Sequence, residues 1–220
     1  KTEHISFRIS SLYPERVDDE LCAILKNERI RPHFHLSVQS GSDRILKLMK
    51  RPYLAHQVAE AVGRLRAVKE DAFIACDIIS GFPGETEEDF FETQKMCRDL
   101  NFTWIHAFPF SARPGTEAFT MKPTVGTQTA SKRVLLLTGM AKEQKETFVQ
   151  TMMGKNYKAI VEKRQTLPLR AVTENFIHTE LIIPETFDPE SIKGKEVMVK
   201  ITEKSTLSNC EAKAIYIELI

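Results

Sequence analysis

Through the first half of the chain, apolar and polar positions repeat one pattern: a short β-rich run, a polar elbow, then a segment with helical spacing. His4–Ser10 (HISFRIS) predicts a strand and Asp18–Lys26 a helix. His33–Gln39 (HFHLSVQ) predicts a second strand, and Leu54–Lys69 a long helix with Val58, Ala61, Val62 and Leu65 on one face. Ala72–Ser80 (AFIACDIIS) is almost continuously apolar, the texture of a strand covered on both faces in a parallel sheet. After GFPGE, Thr86 and Asp89 stand three apart as in a capping box, so a helix starts at about Thr86. Phe90, Phe91, Met96 and Leu100 supply its apolar positions. Trp104–Phe110 gives the next strand, which turns sharply at Ala112-Arg113-Pro114-Gly115.

The texture then changes. Met121–Thr129 is rich in Lys, Pro, Thr and Gly and reads as a linker. Ala130–Met152 predicts a connecting helix, with Val134, Leu137, Ala141, Gln144, Phe148 and Thr151 near helical spacing. Alternation returns in Lys158–Lys163, Phe176–Ile183, Glu196–Thr202 and Ala212–Leu219, and four or five short strands without helices predict a small all-β barrel. The expected fold is therefore α/β over residues 1–125, a linker and connecting helix over 126–153, and a β-barrel over 154–220.

A chain of 220 residues can bury a sizeable core plus a small second domain. Its 42% hydrophobic and 28% charged residues are those of an ordinary globular protein. No apolar run approaches the roughly 20 residues of a membrane span, and the start shows no signal-peptide pattern, so no membrane partner is expected. A net charge of +1 means that any affinity for nucleic acid must come from a local patch. Residues 155–220 hold ten Lys or Arg against ten Asp or Glu, which predicts weak, salt-sensitive RNA binding. Cys22, Cys76, Cys97 and Cys210 are widely spaced, share no short-range ligand spacing and suit a reducing cytoplasm, with Cys76 and Cys97 read as buried thiols. His33 and His35 share one side of a strand and are read as core or barrel-lining residues; no residue is assigned to metal ligation or to catalysis.

Candidate chemistry lies in the elbows, because in parallel α/β sheets ligands sit at the carboxyl ends of strands. Three are polar: Arg8-Ile9-Ser10-Ser11, Gln39-Ser40-Gly41-Ser42 and Gly81-Phe82-Pro83-Gly84-Glu85. The Gln39 amide suits ribose hydroxyls, Gly41 permits close backbone approach, and a guanidinium at Arg51 suits the carboxylate of a bound amino acid. The same residues serve equally as a strand-end cap and a charge at a helix C-terminus. Asp77, inside an apolar strand, requires partners, either a ligand or a barrel neighbour. Gly81 and Gly84 free the backbone, and Phe82 with Pro83 can pack on an adenine ring. Arg44, Lys47, Lys50 and Arg51 are expected on one basic helix face opposite Ile45, Leu48 and Met49, an ordinary solvated face for all but Arg51.

Together, HFHLSVQSGSDRILKLMKRPY (His33–Tyr53), DIISGFPGETEEDF (Asp77–Phe90) and WIHAFPFSARPGTEAF (Trp104–Phe119) resemble the radical S-adenosylmethionine methylthiotransferases over nearly the whole chain. The last segment is most similar to the branch that methylthiolates threonylcarbamoyladenosine beside the tRNA anticodon. The resemblance implies the C-terminal part of a parallel-stranded (β/α) barrel, a connecting helix and a terminal barrel similar to a TRAM domain. It also implies S-adenosylmethionine contacts at Gln39, Ser40, Arg51, Asp77, Gly81, Phe82, Pro83 and Ser10, and substrate or RNA contacts at Arg113, Lys47 and Lys50. The family's 4Fe–4S clusters need clustered thiolates such as CxxxCxxC, which this sequence lacks, so the chain is expected to be inactive alone. A part-barrel leaves an exposed sheet edge, through which dimerisation is expected. The competing readings are a non-catalytic RNA-binding or assembly module and another radical enzyme of the coproporphyrinogen oxidase type.

Overall fold

The computed structural model describes residues 5–163 and 168–220. His4, which opens the first expected strand, lies outside the described residues. Four strands form one sheet in the order β1 (Phe7–Leu12), β2 (Ile30–Gln39), β3 (Phe73–Ser80) and β4 (Trp104–Pro109). β1 runs parallel to β2 and β3 parallel to β4, with Asp77 opposite His106. Between and after them come α1 (Asp19–Leu25), α2 (Asp43–Leu48), α3 (Ala55–Val68), α4 (Glu87–Asp99), α5 (Glu117–Thr120) and α6 (Thr127–Thr151).

The period of two along β2 and β3 separates the two faces of the sheet. Phe34, Leu36, Val38, Ile74, Cys76 and Ile78 are buried in the main core, joined by Val58, Ala61, Val62 and Leu65 of α3. Each of the Val, Leu, Ile and Phe side chains contributes about 1.5–3 kcal/mol by leaving water. The opposite face carries His33, His35, Ser37, Asp77 and Ile79, all half-buried, while Phe73 and Ala75 on that face are buried, so β3 is less covered there only towards its C-terminal end.

The expected basic helix face does not form as expected. α2 stops at Leu48, Lys50 takes a left-handed conformation with φ 55°, and the Arg51 N–H bonds back to the Leu46 carbonyl at 2.9 Å. Pro52 is the physical reason, since a residue before proline is pushed out of the helical region. Lys50 and Arg51 therefore leave the face that bears Arg44 and Lys47. α6 also begins at Thr127, within the stretch read as a linker.

The chain divides into two compact units. One holds the parallel sheet and extends to Gln144; the other spans Lys145–Ile220, with Arg31–His33 of β2 belonging to it. In the second unit β5 (Asn156–Val161), β6 (Arg170–Thr173), β7 (His178–Ile182), β8 (Glu196–Lys204) and β9 (Ala212–Leu219) close into a barrel in the order β5-β6-β7-β9-β8. Its pairs are antiparallel except for β7 with β9, and Val161, Ile177, Val197, Val199 and Ile201 fill its core.

Candidate functional site

The second elbow begins with backbone strain. Gln39 ends β2 with φ 72°, and the Ser40 N–H donates to the Val38 carbonyl at 3.0 Å, closing a γ-turn of the rare left-handed kind. The Tyr53 hydroxyl backs this strand end by donating to the carbonyls of Ser37 at 2.6 Å and Val38 at 3.2 Å. Burial pushes that hydroxyl's pKa up to about 12, so it stays a donor. Gly41 then packs directly on α4: its N–H donates to Thr93 Oγ1 at 2.9 Å, and an added Cβ would lie 2.6 Å from the Thr93 Cα. Ser40 is fully buried and its hydroxyl is already engaged, accepting from the Ser42 N–H at 3.1 Å and lying 3.2 Å from Thr93 Oγ1.

Asp89 ties this elbow to the next. Its carboxylate accepts from the Ser42 hydroxyl at 2.7 Å, from Arg44 Nε at 3.1 Å and from the Thr86 N–H and hydroxyl at 2.8 and 2.7 Å. Burial alone would raise its pKa, but the hydrogen bonds from Arg44, Ser42 and Thr86 outweigh it and hold the carboxyl well below the usual range. Arg44, although its side chain stays half exposed, also donates to the Gly84 carbonyl at 2.6 Å and so braces the two elbows.

In the third elbow both Gly81 and Gly84 are left-handed, with φ 82° and 84°. The Gly81 N–H donates to Glu85 Oε2 at 2.6 Å, and Glu85 pairs with Arg133 of α6. Burial raises the Glu85 carboxyl against the opposing pull of the Gly81 N–H and Arg133.

A cleft of about 310 Å³ opens over the ends of α2, β3 and β4, lined by Met49, Arg51, Ile79, Phe82, Phe110 and Met121 among others. Phe82 meets Phe110 edge-on at 5.1 Å. The Arg51 Nε is buried with no hydrogen-bond partner among the described residues. An apolar, aromatic cleft with one unsatisfied guanidinium nitrogen fits a ligand that is flat and apolar at one end and anionic at the other. Gly81, Pro83 and Phe110 also line an adjoining cavity of about 170 Å³ with Val125 and Ala130.

Not every expected residue converges there. Asp77 is held by His35, whose Nε2 lies 2.9 Å from Oδ1; the imidazole of His35 stacks on that of His106 at 4.9 Å. Burial and the neighbouring His35 lower the His106 pKa despite Asp77. Ser10 is exposed on the edge strand β1, Lys47 is exposed on α2, and Arg113 is exposed in the turn where its carbonyl accepts from Thr116. Lys50 pairs with Glu117 at 2.7 Å. His33 rests against Phe176 at 4.4 Å between ring centres. Among the described residues no group of three His, Cys, Asp or Glu could hold a metal ion, and Cys76 and Cys97 are buried free thiols. The site residues that the motifs did not single out are Tyr53, Asp89 as a brace, His106 and Arg133. Asp89 was legible only as a capping residue, and Arg133 gave no local signal.

A sequence model of the Radical SAM superfamily matches residues 1–97. The threonylcarbamoyladenosine tRNA methylthiotransferase MtaB of Treponema pallidum (strain Nichols) is 47% identical over 207 residues, covering 94% of this chain and 42% of that protein. The tRNA-2-methylthio-N(6)-dimethylallyladenosine synthase of Bartonella tribocorum (strain CIP 105476 / IBS 506) is 34% identical over 202 residues, covering 91% and 43%. The chain thus spans about two fifths of the length of these relatives. Among solved structures, the radical SAM enzyme coproporphyrinogen III oxidase (HemN) of Escherichia coli superposes with a TM-score of 0.54 at 17% identity. It covers 63% of this chain and 32% of that one, a likeness of fold.

Proposed function

The chain belongs to the radical S-adenosylmethionine methylthiotransferase family, and from that premise we propose that it supplies the S-adenosylmethionine cleft and an RNA-binding barrel to a tRNA-modifying enzyme. The observation that carries the reading is the buried, unpartnered Arg51 Nε beside an aromatic cleft at the carboxyl ends of the strands. Arg51 pairs with the methionyl carboxylate, Phe82 and Pro83 flank the adenine, and the Gln39 amide meets the ribose hydroxyls. Ser40 and Gly81 shape the two loops, the former through its buried hydroxyl and the latter through its left-handed backbone. Asp77 acts through His35 on the open face of the sheet. Ser10, exposed on the edge strand β1, is the least supported of the cofactor contacts, while Arg113, Lys47 and Lys50 serve the RNA.

S-adenosylmethionine supplies a cleavable sulfonium as the source of an adenosyl radical. Among the described residues no clustered thiolates fit an iron–sulfur cluster. Similarity to the Treponema protein favours threonylcarbamoyladenosine as the target nucleoside. The closed five-stranded barrel is the architecture of small oligonucleotide-binding modules, and supports a TRAM-like role in holding the tRNA.

Titration calorimetry of the chain with S-adenosylmethionine tests the cleft. Saturable binding that weakens about tenfold or more in Arg51→Met is the expected result, since a hydrogen bond to a charged group is lost. Absence of binding by the unmodified chain would sink the cofactor reading and leave the barrel as an RNA-binding module.

A further inference from the structure

The back of the Gly81–Glu85 loop is held by residues of the segment that follows β4. The Gly84 N–H donates to the Pro123 carbonyl at 2.8 Å. Gly81 faces Ala130 so closely that an added Cβ would lie 2.6 Å from the Ala130 Cβ. One oxygen of Glu85, Oε2, accepts from both the Gly81 N–H and the Arg133 guanidinium. This pair is far more buried than any exposed brace: the Arg133 and Glu85 side chains are 5% and 1% exposed. Arg133 also lies over the Phe90 ring at 5.1 Å and reaches Glu87 at 2.6 Å, but Glu87 is 80% exposed and that contact is worth little.

We propose that Arg133 is a positioning residue for the Gly81–Glu85 loop, acting through Glu85 to fix the backbone that faces the cofactor. This rests on the reading of the cleft given above. A buried ion pair is weak evidence for stability, because desolvating two charges offsets most of their attraction. What the Arg133–Glu85 pair does supply is direction. Glu85 can hold the Gly81 N–H as a charged acceptor only while a cation shares its oxygen in the dry interior. Without Arg133 the carboxyl either takes a proton or turns towards water, and in both cases its grip on Gly81 weakens. Gly81 is left-handed and lies against the first turn of α6, so its loop has few other ways to keep its shape. Residues 123–133 accordingly belong with the loop they back.

The test compares amide hydrogen exchange, followed by NMR, in the 220-residue chain and in Arg133→Met, Arg133→Lys and Glu87→Gln. In Arg133→Met the Gly81 amide should exchange about tenfold faster or more, the loss expected when a charge-assisted hydrogen bond is released. Amides of β3 such as Cys76 should hold their rates, and affinity for S-adenosylmethionine should fall by a similar factor. Arg133→Lys should recover part of the Gly81 protection, because a point charge can still pair with Glu85, and Glu87→Gln should change neither readout. An unchanged Gly81 rate in Arg133→Met would overturn the proposal. So would a rise shared equally by β3, which marks a purely structural residue. If Arg133→Met does not fold, Glu85→Gln and Arg133→Lys carry the same comparison. A chain that fails to bind S-adenosylmethionine yet loses Gly81 protection in Arg133→Met leaves the positioning role standing and removes the cofactor reading.

Discussion

At the residue scale, the open face of the sheet carries the chemistry that the elbow motifs do not explain. Asp77 accepts from His35, and His35 stacks on His106, which in turn lies parallel to Phe108 at 6.5 Å. The folded-state pKa of His106 is lowered, first by burial and then by His35, whereas an unfolded histidine titrates near about 6.5. The unfolded chain therefore binds the extra proton more readily, and stability rises with pH through that region and falls on acidification. Melting temperatures measured between about pH 8 and pH 5.5 should decline for the unmodified chain and decline less for His106→Phe. Equal slopes for the two would show that His106 is protonated as easily in the fold as outside it. Asp89 works on a lower window: its depressed pKa gives stability above the unfolded carboxyl value of about 3.9 that is lost as pH falls further.

At the scale of elements, the start of α4 shows how a local signal acquires a second use. Thr86 is the N-cap: its Oγ1 accepts from the Asp89 N–H at 3.2 Å and donates to Asp89 Oδ2 at 2.7 Å. Thr86→Ala should cost about 1–2 kcal/mol in denaturant unfolding, at the upper end for a cap, because it also removes a bond from the Asp89 brace. A loss below about 0.5 kcal/mol would mean that the brace stands without the cap. That capping box was readable from TEED alone, and so were β3, α3 and α4, because each rests on spacing within one segment. The early end of α2 was also present locally in Arg51-Pro52, but the basic residues at helical spacing masked it. Nothing within one segment announces that Asp89 reaches Ser42 or that Arg133 reaches Glu85, since these pairs are 47 and 48 residues apart. The site was thus legible as loops and illegible as the braces that set them.

For the whole molecule, charge sets what the proposed RNA-binding role of the barrel would require. Its sequence balances ten basic against ten acidic residues, and several cations are already committed within the unit. Lys213 pairs with Glu203 at 2.9 Å, Lys204 with Glu146 at 3.2 Å and Lys193 with Glu190, while Glu211 pairs at 2.6 Å with Lys145, which precedes the counted residues. If roughly three cations remain to meet phosphates, counterion release gives a log–log slope of about −2 to −3. The affinity of the chain for a tRNA anticodon-arm RNA should then fall roughly 20- to 40-fold between 50 and 200 mM salt. Fluorescence anisotropy over that range measures it. A slope steeper than about −5 would require a concentrated basic surface that these ion pairs argue against. A flat response with measurable affinity would instead put base stacking ahead of phosphate contacts, and the exposed faces of the barrel strands would become the place to look for it.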